Sequence, residues 1–281
     1  REEILVWTDV SLHSMRFIGP PFTFGIRQVS GLITIISPNA SIAVEDFAVW
    51  MGRDDFFVYK GGVNTLPCTV KQYVFSDLNQ AQTQKIFCGV NSAFSEIWWF
   101  YPSSSSLEND RYVVWNYTNN LWYYGNLFRT AWLDRGIKDF PIGASSDGYL
   151  YNHEFGLDDG STDPASPISS FIESSQVDIG QGDNFAFVNR IIPDISFSTS
   201  TVSDPSANVI LKSRNFPGGG FQQTDTTGVT QTATTPVELY TEKADIRLRG
   251  RSMTLRVESN ATGVQWKLGT PRMNIRPDGR R

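Results

Sequence analysis

The side chains that could do chemistry are few and scattered along the 281 residues. His13 and His153 are the only histidines, too few and too far apart in sequence for a three-His metal site and a poor basis for a Ser-His-Asp triad. "HEFGL" at 153–157 lacks the second His that a zinc-protease helix carries four residues on. Cys68 and Cys88 sit in strand-like surroundings ("LPCTV", "IFCGV"), where two buried thiols or a cross-strand disulfide are the readings, and with two distant histidines they make no zinc pattern. A glycosidase would need two converging carboxylates about 5–9 Å apart, for which Glu96, Glu108, Asp110, Asp134 and Glu154 are the candidates. "LDDGSTD" around Asp158 lacks the order of a calcium loop. "ASSDGYLY" at 144–151 misses the Asp-box spacing by one residue and reads as a hairpin turn. The aromatic run "IWWFYPSSSS" could stack on sugars, but a continuous apolar run reads first as a strand buried on both faces.

The elements that carry these residues read as strands. Arg111 to Tyr117 is rich in strand formers, Thr118-Asn119-Asn120 tolerates a turn, and Leu121 to Tyr124 resumes an aromatic strand closed by Gly125. Successive side chains alternate across a pleated ribbon, so aromatics at consecutive positions require packing on both faces. From about Ile42 to Leu157 the same rhythm recurs: "SIAVEDFAVWMGRDDFFVYKGG", "SEIWWFYPSSSSLENDRYVVWNYTNNLWYYG" and "FPIGASSDGYLYNHEFG" each read as an antiparallel meander. Meanders repeating every 40–50 residues or so are the pattern of β-propeller blades. The middle one resembles a kelch repeat, with Tyr117 and Trp122, or Tyr112 and Trp115, as the matching aromatics. Two or three units do not close a ring of blades; further blades lie upstream, or the first forty residues and a distant segment complete the circle. The start at Arg1 instead of Met reads as a processed product or the later part of a longer chain.

"LDDGSTDPASPISS" divides the chain. The expectation is an all-β protein, with a β-propeller-like portion over 1–160 and a β-sandwich or jelly-roll-like domain over 161–281. In "ADIRLRGRSMTLRVES", Ile246 and Leu248 face one way and Arg247 and Arg249 the other, with Gly250 at a bulge or hairpin turn. "FPGGGFQQTDTTGVTQTATT" reads as a long flexible hairpin tip.

Composition fits such a chain: 40% hydrophobic, 13% aromatic and only 19% charged. No apolar run reaches the roughly 18 residues of a membrane span. The net charge of -5 hides an asymmetry, because residues 241–281 hold ten Lys/Arg against four Asp/Glu. A solvated alternating strand, a phosphate contact and an acidic neighbouring subunit all fit that basic end.

Three stretches together resemble tail nozzle or hub proteins of short-tailed bacteriophages: "EIWWFYPSSSSLENDRYVVWNYTNNLWYYGNLFRTAWLDRG", "IIPDISF", and the ending "DIRLRGRSMTLRVESNATGVQWKLGTPRMNIRPDGRR". The resemblance implies a non-enzymatic structural subunit of the virion tail, assembled in the host bacterial cytoplasm. It implies a sixfold ring of copies below the portal and adaptor, with genomic DNA leaving through the channel and no cofactor or metal. Trp98, Trp99, Tyr112, Trp115, Tyr117 and Trp122 would then pack blade against blade, and Arg276, Arg280 and Arg281 would meet a neighbouring subunit. A glycan- or receptor-binding propeller is the alternative, and a propeller glycosidase the third reading.

Overall fold

In the computed structural model, which describes residues 3–178, 182–216 and 231–279, nearly every regular element is a strand. The chain divides into two units, Arg1–Phe155 and Gly156–Arg281, each with its own hydrophobic core.

Unit 1 is a series of antiparallel meanders. Sheet I holds β1 (Glu3–Trp7), β2 (Ser11–Phe17) and β3 (Phe24–Gly31); sheet II holds β4 (Ser41–Val44), β5 (Phe47–Met51), β6 (Phe56–Tyr59) and β7 (Val63–Leu66). A short helix α1 (Lys71–Ser76) and a 3-10 turn at Gln80–Lys85 lead to sheet III, made of β8 (Phe87–Asn91), β9 (Glu96–Tyr101), β10 (Arg111–Asn116) and β11 (Leu121–Asn126). Sheet IV holds β12 (Ala131–Leu133), β13 (Ile142–Ala144) and β14 (Leu150–Asn152). The helical connection breaks the otherwise continuous strand rhythm and gave no amphipathic period long enough to read, since it is one turn and a half. No helix among the described residues is long and apolar enough to cross a membrane.

Side-chain alternation converts these meanders into a stack. One face of β5 and β6 (Val49, Met51, Phe56) packs on Ile97, Trp99, Tyr101, Val113 and Trp115 of sheet III. The opposite face (Ala48, Trp50, Tyr59) packs on Leu12, Leu5 and Trp7 of sheet I. Trp98, Phe100 and Val114, on the far face of sheet III, receive Trp132 of sheet IV. All six residues of β9 are therefore buried, as a strand covered on both faces requires. Sheet I, not anticipated as a meander, is pinned to sheet II by Glu3. Its carboxylate accepts from Ser14, from Arg16 Nε at 2.9 Å and from Tyr59 OH at 2.7 Å.

Unit 2 opens with the short ladder β15 (Asp158–Asp159) and β16 (Ser166–Pro167). β17 (Ser170–Glu173), β18 (Val177–Asp178), β21 (Ser206–Arg214), β22 (Thr232–Glu238) and β24 (Ser252–Ser259) form one sheet. A second sheet has the order β23-β19-β26, from β19 (Ala186–Ile192), β23 (Ala244–Gly250) and β26 (Arg272–Pro277). β20 (Ile195–Ser196) pairs β25 (Lys267–Leu268). Val188, Ile191, Ile246 and Leu248 of the three-stranded sheet share a core with Val209, Leu211, Met253 and Val257 of the larger one, which is a sandwich. β23 alternates buried and exposed throughout. Gly250 corrects one expectation: it marks neither bulge nor hairpin, because β23 and β24 belong to different sheets and the chain crosses between them there. A Cβ at Gly250 would lie 2.5 Å from that of Ser213, so the corner needs glycine for close approach. β21 and β22 pair across the Gly/Thr/Gln-rich segment; its residues 217–230, read as a hairpin tip, lie outside the described residues.

Candidate functional site

Of the five carboxylates singled out by type, the structure brings two together, at the joint between sheets III and IV. Asn91 and Glu96 end the β8–β9 hairpin as direct cross-strand partners, and Asn91 is wholly buried. Asn91 Nδ2 lies 3.5 Å from Glu96 Oε2 and donates to Glu154 Oε1 at 3.2 Å. Sharing one amide nitrogen, the carboxylate oxygens are at most about 7 Å apart, within the span of glycosidase carboxyl pairs. Glu154 holds a φ of 56°, a conformation few non-glycine residues adopt.

Around the pair lie Trp98, Tyr112, Tyr123, Trp132, Arg129 and His153. Trp98 Nε1 donates to Glu96 Oε2 at 3.0 Å, and Tyr123 OH donates to Glu96 Oε1. Trp132 stacks on Trp98 at 5.4 Å and donates its Nε1 to Val90 O at 2.9 Å. Arg129, 8% exposed, donates Nε to His153 Nε2 at 2.8 Å and lies over the Tyr151 ring. Burial, and then the Arg129 charge, lower the His153 pKa to about 4, so the imidazole is neutral at pH 7 and accepts from Arg129.

This arrangement is poorly suited to acid–base catalysis despite the favourable separation. Both Glu96 oxygens are occupied by donors from within the sheet, on a carboxylate 9% exposed, so a substrate would have to displace Trp98 or Tyr123 to reach it. The other three candidates are used locally. Glu108 pairs with Lys85, Asp110 accepts from Ser103 N and Oγ at 2.7 Å each, and Asp134 accepts from Ser92 N at 3.2 Å. Among the described residues no group of three or more His, Cys, Asp and Glu is placed to hold a metal. Cys68 and Cys88 are free thiols packed against the core between sheets II and III, and burial raises their pKa values to about 11 and about 12.

The six aromatics expected between blades all lie in sheet III or at its edge. Trp99 and Trp115 are in the core against sheet II, with Tyr117 and Trp122 packed on it. Phe47 meets Trp115 at 6.0 Å and Tyr117 at 5.6 Å; Phe56 meets Trp99 at 5.0 Å and Trp122 at 4.8 Å. Trp98 and Tyr112 face the sheet IV side. At the basic end Arg276 is exposed on β26, while Arg280 and Arg281 lie outside the described residues. Several cations of that end are neutralised within unit 2: Arg249 pairs with Asp278, and Arg256 with Glu173 and Glu258.

The two acidic anchors of unit 1 predict opposite pH dependences. Hydrogen bonds from Ser14 and then Arg16 and Tyr59 outweigh burial and take Glu3 down to about 2. Its contribution is complete above the ordinary Glu range and is lost as pH falls toward 2. Glu154 is raised by burial of its carboxyl end and then by the Glu96 charge, against the Asn91 hydrogen bond. The folded state therefore binds that proton more tightly, and stability is gained as pH falls into the ordinary Glu range. In thermal melts from pH 8 to 5, Glu154→Gln should be the more stable form at pH 8, with the advantage shrinking toward pH 5. Because Glu154 is an exposed residue, solvent screening holds the effect to about 0.5 kcal/mol. An advantage independent of pH would show that neither burial nor the Glu96 charge raises Glu154 in the folded protein.

No family model matches the chain, and no curated protein matches it. Among solved structures, the crystal structure of an exo-β-1,3-galactanase from Phanerochaete chrysosporium with galactose is 11% identical, over 98% of this chain and 68% of that one, with a TM-score of 0.20. A likeness at that score carries no argument about fold or activity.

Proposed function

We propose that this protein is a structural subunit of a short-tailed bacteriophage tail, part of a nozzle or hub ring that forms the channel for genome ejection. The observation that carries the reading is the use to which the aromatics are put. Successive meander sheets are joined face to face by Trp50, Trp98, Trp99, Trp115 and their partners, as a propeller-bearing subunit of that kind needs. The polar cluster at Glu96 is tied inside the same stack and offers no open carboxyl pair. A net charge of -11 over the first 240 residues suits a wall past which DNA slides, since clustered cations would hold phosphates.

A glycan-binding propeller would present aromatic platforms to solvent. None of the eight tryptophans is exposed, which weighs against it, although Tyr123, Tyr124, Tyr149 and Tyr240 are. Native mass spectrometry and cryo-EM of the purified chain test the reading. The expected result is a sixfold ring with an axial opening wide enough for duplex DNA. A monomer whose tryptophan fluorescence responds to oligosaccharides would overturn it in favour of glycan binding.

A further inference from the structure

The outward face of the three-stranded sheet in unit 2 is an array of arginines. On β23 the exposed positions are Asp245, Arg247 and Arg249, and every other residue of the strand is buried. On β26 the same side carries Arg272, Asn274 and Arg276. Plain alternation from Phe187 on β19 would turn Arg190 toward the core. A bulge against β26 at Asn189 turns it outward instead, level with Asp245 and Asn274. Five guanidinium groups thus share one face, answered by two carboxylates: Arg190 pairs with Asp245 at 2.7 Å, and Arg249 with Asp278. Arg247, Arg272 and Arg276 enter no ion pair among the described residues. In the larger sheet, by contrast, Lys212 and Arg256 both pair with Glu173, and Arg256 also with Glu258. A face that had only to be wet could be rich in threonine, as β22 is with Thr232, Thr234 and Thr235, whereas crowded like charges work against a sheet.

We propose that this arginine face binds the phosphate backbone of a nucleic acid without reading its sequence. All five cations are arginine, whose planar fork of donors matches a phosphate group in two hydrogen bonds at once. Their spread suits a polymer and not one small anion: Arg272 and Arg276 stand about 14 Å apart along β26, and β23 runs about 10 Å across the sheet from it. A nucleic-acid strand carries a phosphate about every 3.4 Å of duplex axis, so a backbone crossing the face brings several within reach. Phe187 lies in register between Arg249 and Arg276, and Asn274 lies beside Arg190. An aromatic ring and an amide set among guanidinium groups take sugar and base as well as phosphate, where an acidic protein surface would be met by charge alone. The face belongs to a single chain and stands apart from the ring reading.

The test is fluorescence anisotropy of the full chain with a labelled mixed-sequence duplex, at salt from about 50 to about 200 mM. With the three unpaired arginines each neutralising a phosphate, log K should fall against log salt with a slope near about -2.7. The double variant Arg272→Gln/Arg276→Gln, at two exposed positions and verified as folded by circular dichroism melts, should bind at least about 10-fold more weakly at the lowest salt and lose about 2 from the slope. Arg272→Lys/Arg276→Lys should keep the slope, because the charge is kept. Binding unchanged in the Gln variant would overturn the assignment to this face, as would wild type that fails to bind at about 100 μM. Poly-glutamate bound as tightly as the duplex would overturn nucleic acid in favour of an acidic protein partner. None of these outcomes depends on whether copies form a ring, so native mass spectrometry judges that reading separately.

Discussion

Trp99→Ala should lower the unfolding free energy of unit 1 by about 3–5 kcal/mol, measured by urea titration of wild type and variant. Trp99 has no exposed surface and stands where sheets II and III meet. Its indole packs on Phe56 at 5.0 Å and on Trp122 at 6.0 Å, and its Nε1 donates to Ala40 O at 3.0 Å. Truncation removes the most deeply buried indole of that joint and leaves the Ala40 carbonyl without this donor. Neighbouring strands are fixed by ladders on both sides of β9, so they cannot collapse into the space. Trp122→Ala should cost distinctly less. Trp122 sits on the edge strand β11, is half-buried, and reaches Pro67 O at 2.9 Å from the rim of the same joint. A loss below about 1 kcal/mol at Trp99 would mean that the aromatic joint does not hold the sheets together.

That contrast marks how far sequence alone reaches. "EIWWFY" announces burial on both faces, because no alternation of polar residues interrupts it, and β9 is buried throughout. Asn119-Asn120 announces its turn, and Asn120 adopts a φ of 53° while accepting from Trp115 Nε1. What pattern cannot rank is depth: Trp99 and Trp122 look equivalent until β9 is seen to be central and β11 an edge. Sheet I escaped notice because Ser11, His13 and Ser14 interrupt its apolar alternation, and its outward row is apolar as well. The Glu96–Glu154 meeting was only one of many carboxyl pairs, because Asn91, the residue that joins them, lies 63 positions from Glu154 and belongs to no motif. The corner at Gly250 was hidden for a similar reason. A glycine between two alternating strands has the same sequence appearance whether the strands pair or part company.

Gly89→Ala is the second substitution expected to have a large effect, at the joint between sheets III and IV. Gly89 lies on β8 opposite Trp98, and a Cβ there would come within 2.4 Å of Trp132 Cδ1 and 2.8 Å of Cγ. Those are ring atoms held twice, by the stack on Trp98 and by the hydrogen bond to Val90 O. The ring cannot swing aside without losing one of them, so the methyl group forces sheet IV away from sheet III. Overpacking of this kind costs about 1–3 kcal/mol, and the displaced Trp132 should alter the near-ultraviolet circular dichroism. Trp132→Ala alone should also destabilise, by emptying the space beneath sheet IV. The double variant separates steric conflict from a general weakness of β8, because removing the indole removes what the new methyl group strikes. The combined loss should therefore fall short of the sum of the two single losses by at least about 1 kcal/mol. Strict additivity would show that Gly89 serves the backbone of β8 and not the approach of one sheet to the next.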